Sequence, residues 1–575
     1  MNTWLVNIWK QIVNGQYFYL LPVILYICFS IAIFFIQPMG PFYDLAHPGI
    51  ETIEEVLQGN LSPYYPHYSG HQPLIDWLLA PLFVVFGISN TTLHTVGIVA
   101  GACTVLLLCL TGRILFSQRI GLYAGLIGTT SHWWLLLTNE GLRIVLVPPL
   151  MLLGIYSLAR IFQAIRFRDS LGWAIVYGVG IGGLGYVYGS AWILLPALTL
   201  APFTFIFSRP KIKLSRISFF LLPFVALLVL FPLWQYNQEN PGRIFERSNT
   251  EIGVFSVNTF KQRIQEGIVP VTSSFFLLPT TYTTVWQEGM TFTLASIKQS
   301  FPAPLLAPGL LLAMLVAFFS LLWQVYKRRP IAIPLLLFLL FFAGWIPSLI
   351  TVGPQPHFRR IIVSLVPAFL LSAWGLKVLE EKLKRFGYIF PVIFLLSFAY
   401  GPYAYFAHVL PSEWYYGNYY LGHNELARFL FARVAAGQKV AISGNTAHLK
   451  SLQFYALATP QNRSAFHLLP PPGSRDFKEG SLKGFDTWFV VSNTCETDQA
   501  TGFMPEPVVI RDRGFVIGCI FDRPGISPEL RNRRGDLPHT TSLLRSWWKQ
   551  EGSFAYHTPL YGPIFGIEDS TTSSK

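Results

Sequence analysis

About eleven long stretches without Asp, Glu, Lys or Arg constrain the fold of this 575-residue chain more than any other feature. Each stretch is about long enough to cross a hydrocarbon core of ~30 Å as a helix. A helix is expected because hydrocarbon offers backbone N–H and C=O groups no other hydrogen-bond partners. The sequence therefore predicts an α-helical polytopic membrane protein with spans at 18–36, 93–112, 121–138, 144–159, 172–188, 191–207, 217–234, 304–325, 331–352, 361–376 and 388–406.

The charged residues between these stretches predict the orientation of the chain. Every second connection is basic, and together these connections hold sixteen Lys and Arg residues, whereas the other short connections hold only Arg143, Arg359 and Arg360. Basic loops stay in the cytoplasm, so the N-terminus is expected there and the region after the last span outside, on what we call the outer face. The net charge of +13 is thus explained by membrane topology, and it does not indicate a nucleic-acid partner.

Three parts of the chain are expected to project from the outer face. Two are loops within the transmembrane domain of residues 1–406, at 37–92 and 235–303. The third is an α/β domain at 407–523, because the strand-like runs K-V-A-I-S, W-F-V-V-S and F-V-I-G-C-I-F alternate there with a helical pattern. Residues 524–575 form a polar tail with the composition of a loosely ordered segment.

Two of the five cysteines, Cys495 and Cys519, fall in the predicted outer domain. An oxidising compartment permits a disulfide between them. Spacing along the chain does not reveal whether the two sulfurs come within bonding distance, so a disulfide and two buried thiols both fit the sequence.

Acidic residues of the first outer loop are candidates for a general base. Glu51 lies in the first turns of a predicted helix, as do two further glutamates, and there a carboxylate also stabilises the helix dipole. Asp76 follows Pro73 and has the same alternative explanation. Asp44, in P-F-Y-D-L-A-H-P, has no helix to stabilise, so an exposed loop residue is the competing interpretation.

The three outward arginines are the stronger signal, because they break the charge bias of the other loops. A guanidinium at membrane depth is costly unless it faces an anion or a carboxylate, although an arginine can also snorkel to lipid phosphates. Arg143 lies in T-N-E-G-L-R-I-V-L-V-P-P, and Arg359 and Arg360 lie in G-P-Q-P-H-F-R-R. His71 and His357 lie on the same face but lack the spacing of metal ligands, so no metal site is predicted.

These residues lie in motifs that resemble the GT-C superfamily, in particular bacterial protein mannosyltransferases, aminoarabinose transferases and RgtA/B/C/D-like glycosyltransferases. The resemblance covers residues 17–376. Its motifs, in chain order, are L-Q-G-N at Leu57, G-H-Q-P-L-I-D-W-L at Gly70, G-R-I-L-F-S-Q-R-I-G-L-Y-A-G-L at Gly112, E-G-L-R-I-V-L-V-P at Glu140, G-L-G-Y-V-Y at Gly183 and P-H-F-R-R-I-I-V-S-L-V-P at Pro356.

The resemblance implies a transferase that uses a polyprenyl-phosphate-linked sugar in the plasma (inner) membrane of a bacterium. It implies Asp44 as the catalytic carboxylate that acts as base, with Glu51 as the alternative because Leu45 stands where relatives carry a second acidic residue. Arg143, Arg359 and Arg360 would bind the donor phosphate. His71, Asp76, Tyr186, Tyr188 and His357 are the substrate-site candidates that complete this prediction.

The chemistry that these residues could perform is a single displacement with inversion at the anomeric carbon. A phosphate leaving group needs no general acid, so one base and some positive charge suffice. The acceptor could be a lipid, a glycan or a protein, and no cofactor is required, although a divalent metal stays open. Two alternatives fit the same span plan: a lipid-linked oligosaccharide ligase or polymerase, and a transporter or flippase.

Overall fold

The computed structural model describes residues 15, 17–36, 52–53, 55–66, 70–87, 90–164, 167–199, 202, 216–245, 261, 268, 271–272, 275, 306–328, 331–350, 359–384, 389–409, 430, 433–434, 437–443, 466–469, 482–490, 508–512 and 515–524. Contacts between residues divide the chain into two compact units. The first comprises 1–34, 61–78 and 94–418, and the second comprises 35–60, 79–93 and 419–575. The domain boundaries predicted at 407 and 524 stay predictions.

Helices dominate the described residues from 20 to 409. They are α1 (Leu20–Ile36), α2 (Leu74–Phe86), α3 (Asn90–Leu115), α4 (Gln118–Thr130), α5 (His132–Glu140), α6 (Val147–Gln163), α7 (Phe167–Gly183), α8 (Arg216–Glu239), α9 (Pro308–Tyr326), α10 (Ala332–Ala343), α11 (Ile346–Ile350), α12 (Leu365–Leu383) and α13 (Ile389–Ala404). Short 3₁₀ turns cover Arg143–Leu146, Leu184–Tyr186, Gly189–Ile193, Arg243–Phe245 and Ile362–Ser364, and a π turn covers Tyr405–Val409.

Seven helices among the described residues are long and apolar enough to cross a membrane. Each of the eleven predicted spans overlaps helical residues, so the predicted fold class is confirmed, while the number eleven stays a prediction. The spans differ in how deeply protein encloses them. The helix 362–383 is 83% buried in its most apolar window, whereas the helices 221–239 and 389–407 are only 17% and 22% buried. The first is therefore central, and the other two present most of their apolar side chains outward.

Some predicted spans are broken where the sequence supplies a helix cap. The predicted span 121–138 is two helices, because Ser131 has an extended backbone and its hydroxyl accepts a hydrogen bond from Trp134 N at 3.3 Å. A serine at this position caps the first turn of the helix that follows. The break leaves α5 as a short helix that ends at Glu140.

Small residues let the central helix pack closely against its neighbour. A Cβ atom at Gly375 of α12 would overlap the carbonyl oxygen of Ala313 in α9. Ser372, one turn earlier, donates a hydrogen bond to Leu310 O at 3.2 Å. Close backbone approach through small residues is a main source of helix association in membranes, where apolar burial alone gives little.

The described part of the second unit contains a five-stranded mixed sheet. Its strands are β1 (Val440–Ser443), β2 (Phe466–Leu469), β3 (Thr487–Val490), β4 (Val508–Asp512) and β5 (Phe515–Asp522), in the order β2-β1-β3-β5-β4. β1 pairs in parallel with β2 and β3, and β5 pairs antiparallel with β3 and β4. Trp488 and Phe521 lie in its core with rings 5.2 Å apart. Three of the predicted strand runs are therefore confirmed as β1, β3 and β5.

Cys519 is fully buried in β5 and is disulfide-bonded. The three cysteines of the transmembrane domain, Cys28, Cys103 and Cys109, are free thiols. Cys495 lies outside the described residues, so its pairing with Cys519 stays a prediction.

A buried arginine connects the helical and strand parts of this unit. Arg433 donates to both carboxylate oxygens of Asp522, with Nη2 at 3.2 Å from Oδ2, and Nη1 lies 3.0 Å from Thr487 Oγ1. The arginine and the aspartate are almost entirely buried. Two parallel N–H···O bonds hold both partners in one geometry, so the network fixes the end of β5 against the segment that carries Arg433.

We expect Arg433→Ala to destabilise the second unit strongly, because it leaves the Asp522 carboxylate buried without its cation. The loss of one partner of a buried ion pair typically costs about 3–5 kcal/mol of unfolding free energy. Limited proteolysis of the full-length protein in detergent should show accelerated cleavage after residue 419. Lys377→Ala is the control, since its pair with Glu380 at 3.1 Å is partly solvated and should contribute about 1 kcal/mol or less.

Candidate functional site

Seven of the predicted site residues are described, and most of them lie at breaks between helices. They are Arg143, Arg359, Arg360, Tyr186, Tyr188, His71 and Asp76, of which Asp76 lies in the first turn of α2. Asp44, Glu51 and His357 lie outside the described residues.

The connection between α5 and α6 buries one arginine through its local sequence. Gly141 ends α5 with a positive φ of 67°, a left-handed conformation that glycine adopts without a steric penalty. Leu142 is extended, and a 3₁₀ turn then begins at Arg143 and leads directly into α6. Pro148 stands in the first turn of α6, where its missing N–H leaves no hydrogen bond unmade. The result is an arginine, only 8% exposed, immediately before a helix N-terminus.

The start of α12 repeats this arrangement. The sequence R-I-I-V-S-L-V-P from Arg360 is similar to R-I-V-L-V-P from Arg143. In both, a 3₁₀ turn leads into the helix; it begins at Arg143 in the first and at Ile362 in the second. Arg360 is 4% exposed, and Ile361 beside it is fully buried. The 3₁₀ turn before α12 contacts α6. Each of these two helices therefore starts after a buried arginine, and each helix dipole favours an anion at that end.

An ion pair that sequence reasoning missed joins these two connections. Arg359 Nη2 lies 2.7 Å and Nε 3.2 Å from the same oxygen, Oε1 of Glu140. The Glu140 side chain is fully buried, and that of Arg359 is 12% exposed. Glu140 lies in the motif E-G-L-R-I-V-L-V-P, three positions before Arg143, but its partner is 219 positions away, so no local pattern identifies the pair.

One of the two predicted tyrosines lies against Arg143. The Arg143 guanidinium lies 5.8 Å from the centre of the Tyr188 ring, within the range of a cation–π contact. Tyr186 has a different role, because its hydroxyl donates to Val229 O at 2.7 Å and its ring packs 5.6 Å from Trp77. Of the two predicted tyrosines, the structure thus brings only Tyr188 to an arginine.

His71 and Asp76 form a second buried polar pair. His71 Nε2 lies 3.0 Å from Asp76 Oδ2, and the two side chains are 3% and 2% exposed. An antiparallel bridge between Tyr65 and His71 holds the histidine in place, with their rings stacked 5.9 Å apart. The carboxylate fixes which imidazole nitrogen faces it, as in other His–Asp pairs.

A shared aromatic cluster links the neighbourhoods of the two polar sites. Trp77 follows Asp76 directly and packs on Tyr186, and the same turn of chain carries Tyr188 to Arg143. Tyr64 from the segment before His71 joins this cluster together with Leu233 and Ile244. Among the described residues, no group of three or more His, Cys, Asp and Glu side chains could hold a metal ion.

Comparison with known proteins agrees with this architecture. Residues 70–236 match the family model described as dolichyl-phosphate-mannose-protein mannosyltransferase. No curated protein matches the chain. The crystal structure of ArnT from Cupriavidus metallidurans in the apo state is similar with a TM-score of 0.51 and 13% identity, over 87% of this chain and 97% of that chain.

Two further solved structures are similar at lower scores. ArnT from Cupriavidus metallidurans bound to undecaprenyl phosphate has a TM-score of 0.49 and 13% identity, over 88% of this chain and 98% of that chain. The Archaeoglobus fulgidus oligosaccharyltransferase in complex with Zn and sulfate has a TM-score of 0.43 and 12% identity, over 82% and 67%. The resemblance predicted from the sequence is confirmed: residues 70–236 match the mannosyltransferase family model, and the chain has the fold of the apo ArnT structure.

Proposed function

We propose that this protein is a membrane glycosyltransferase that moves a sugar from a polyprenyl-phosphate carrier to an acceptor on the outer face. The observation that carries the proposal is the set of three arginines, Arg143, Arg359 and Arg360, which precede two helix starts that the Glu140–Arg359 pair connects. Arginine side chains before helix N-termini suit a phosphate, and the predicted membrane spans suit a lipid carrier.

The proposed reaction is a single displacement with inversion at the anomeric carbon. The acceptor hydroxyl loses its proton to a carboxylate as it attacks, and the bond between the sugar and the carrier phosphate breaks. The phosphodiester of the donor becomes a phosphomonoester, so negative charge grows on the phosphate oxygens. Guanidinium groups fixed beside those oxygens would stabilise the transition state more strongly than they stabilise the bound donor.

The base in this proposal is Asp44, with Glu51 as the alternative. Both follow from the chemistry of the first outer loop and from the family resemblance, and both lie outside the described residues. Hexosyl or pentosyl transfer, and a lipid, glycan or protein acceptor, all fit this scheme. We propose the plasma membrane of a bacterium as its location, with the N-terminus in the cytoplasm.

Purified protein should transfer a labelled monosaccharide from a polyprenyl monophosphate to an acceptor in a cell-envelope extract. It should not use an oligosaccharide linked through a pyrophosphate, because the proposed site offers charge for one phosphate group. Both donors are supplied in parallel, and extracted lipid, glycan and protein are counted separately for label. Transfer from the pyrophosphate donor alone would instead indicate an oligosaccharide ligase.

We expect Arg143→Ala to lower kcat/KM for the donor by about 10- to 100-fold, the equivalent of one hydrogen bond to a charged group. Arg143→Lys should recover only part of this loss, since an ammonium group cannot reproduce the two-pronged geometry of a guanidinium. Steady-state kinetics against donor concentration measure both effects.

The matched control for Arg143 is Arg160→Ala. Arg160 also stacks on a tyrosine, with its guanidinium 5.4 Å from the ring of Tyr156. It lies in the last turn of α6, at the opposite end of that helix from Arg143. The control should retain full activity. Equal losses in the two variants would mean that arginine–aromatic packing, and no phosphate contact, accounts for the effect.

Asp44→Asn should abolish most transfer, by roughly 100- to 10,000-fold, while donor binding persists, because an amide keeps the shape of the carboxylate but cannot take a proton. Glu51→Gln is tested beside it, and Asp169→Asn in the first turn of α7 is the matched control. Loss of activity in the Glu51 variant alone would move the base to Glu51. Full activity in both variants of folded protein would refute a base in the first outer loop.

A further inference from the structure

The Glu140–Arg359 ion pair is buried beside apolar side chains. Leu142 and Ile361, which flank the two connections, are 4% and 0% exposed. A charge buried among apolar side chains loses its hydration, and such residues persist mainly where function requires them. The pair also joins parts of the chain that are 219 positions apart. Its burial and its long separation along the chain indicate that the carboxylate has a role toward the arginine.

Two contacts to one oxygen determine the orientation of the guanidinium. Nε and Nη2 both donate to Glu140 Oε1, so one edge of the planar group faces the carboxylate. A guanidinium is a planar, rigid group, so fixing one edge fixes the plane of the whole group. We propose that Glu140 is a positioning residue, whose carboxylate holds the Arg359 guanidinium in the orientation that the carrier phosphate requires.

This inference rests on the proposed function, because it assigns Arg359 to the donor phosphate. An arginine side chain has several rotatable bonds, and their freedom would otherwise be lost when the donor binds. Glu140 orders Arg359 before binding, just as the Tyr188 ring packs against Arg143. Preorganised donors need no rearrangement as charge develops on the phosphate, which is the main source of electrostatic stabilisation in transition states.

The test is a double-mutant cycle of Glu140→Gln and Arg359→Gln in full-length protein, with donor kcat and KM as readouts. Glutamine keeps the length of glutamate but loses its charge. We expect Glu140→Gln to lower kcat/KM by roughly 100-fold, as for a small misplacement of a catalytic contact. In the Arg359→Gln background the same change should have almost no further effect, because Glu140 acts through Arg359.

Two additional measurements separate positioning from folding and from the proposed function. Thermal unfolding of each purified variant reports its stability. The control is Glu380→Gln, which removes the carboxylate of another ion pair, Arg119–Glu380, with 2.8 Å between Nη1 and Oε1. Binding of undecaprenyl phosphate to the wild-type protein reports the phosphate site by itself. Wild-type protein that neither binds this lipid nor transfers sugar would overturn the proposed function and the inference together.

The inference alone fails under two results. One is wild-type kinetics in Glu140→Gln, with lipid binding intact. The other is a kinetic loss that is fully additive with that of Arg359→Gln, or that matches the loss of folded protein and nothing more. A non-additive loss of kcat/KM in variants that melt at the wild-type temperature, with an unchanged Glu380→Gln control, supports it.

Discussion

Hydrocarbon supplies neither water nor hydrogen bonds, and this constraint organises the whole first unit. It requires the backbone to close its hydrogen bonds within helices, and it makes every buried charge costly. The helix breaks are tolerated because protein surrounds them, as at Ser131 and at Gly141. The same breaks are the places where arginine side chains enter the interior. The breaks in the helices therefore coincide with the arginines of the proposed donor site.

The arginines can occupy these positions because each has a partner suited to it. Arg359 has a carboxylate, and Arg143 has the face of a tyrosine. A tyrosine ring attracts the cation without neutralising it, whereas a carboxylate cancels its charge at short range. Both kinds of partner order an arginine side chain and lower the cost of burying it. Ordered arginines of this kind suit the phosphate site that we propose.

Much of this architecture was predictable from the sequence, because hydrophobic length and loop charge act locally. The helix starts at Arg143 and Arg360 and the strands β1, β3 and β5 follow from such local patterns. The Glu140–Arg359 contact was not predictable, since it depends on how distant helices pack. The His71–Asp76 contact is short in sequence, yet its burial depends on the same packing. Local patterns also do not reveal that Ser131 divides one apolar stretch into two helices, because a single serine is common inside membrane helices.

The uneven enclosure of the helices has a consequence for how the protein meets membranes of different thickness. A bilayer thicker or thinner than a helix is accommodated by tilting, at a cost of fractions of a kcal/mol per Å. The helices α8 and α13, whose side chains mostly face outward, can tilt with little loss of internal contact. The enclosed α12, locked against α9 at Gly375, cannot. Lipid composition should therefore alter the tilt of the peripheral helices while the helix starts that follow the arginines keep their spacing. The geometry of the proposed site should then not depend on the thickness of the bilayer.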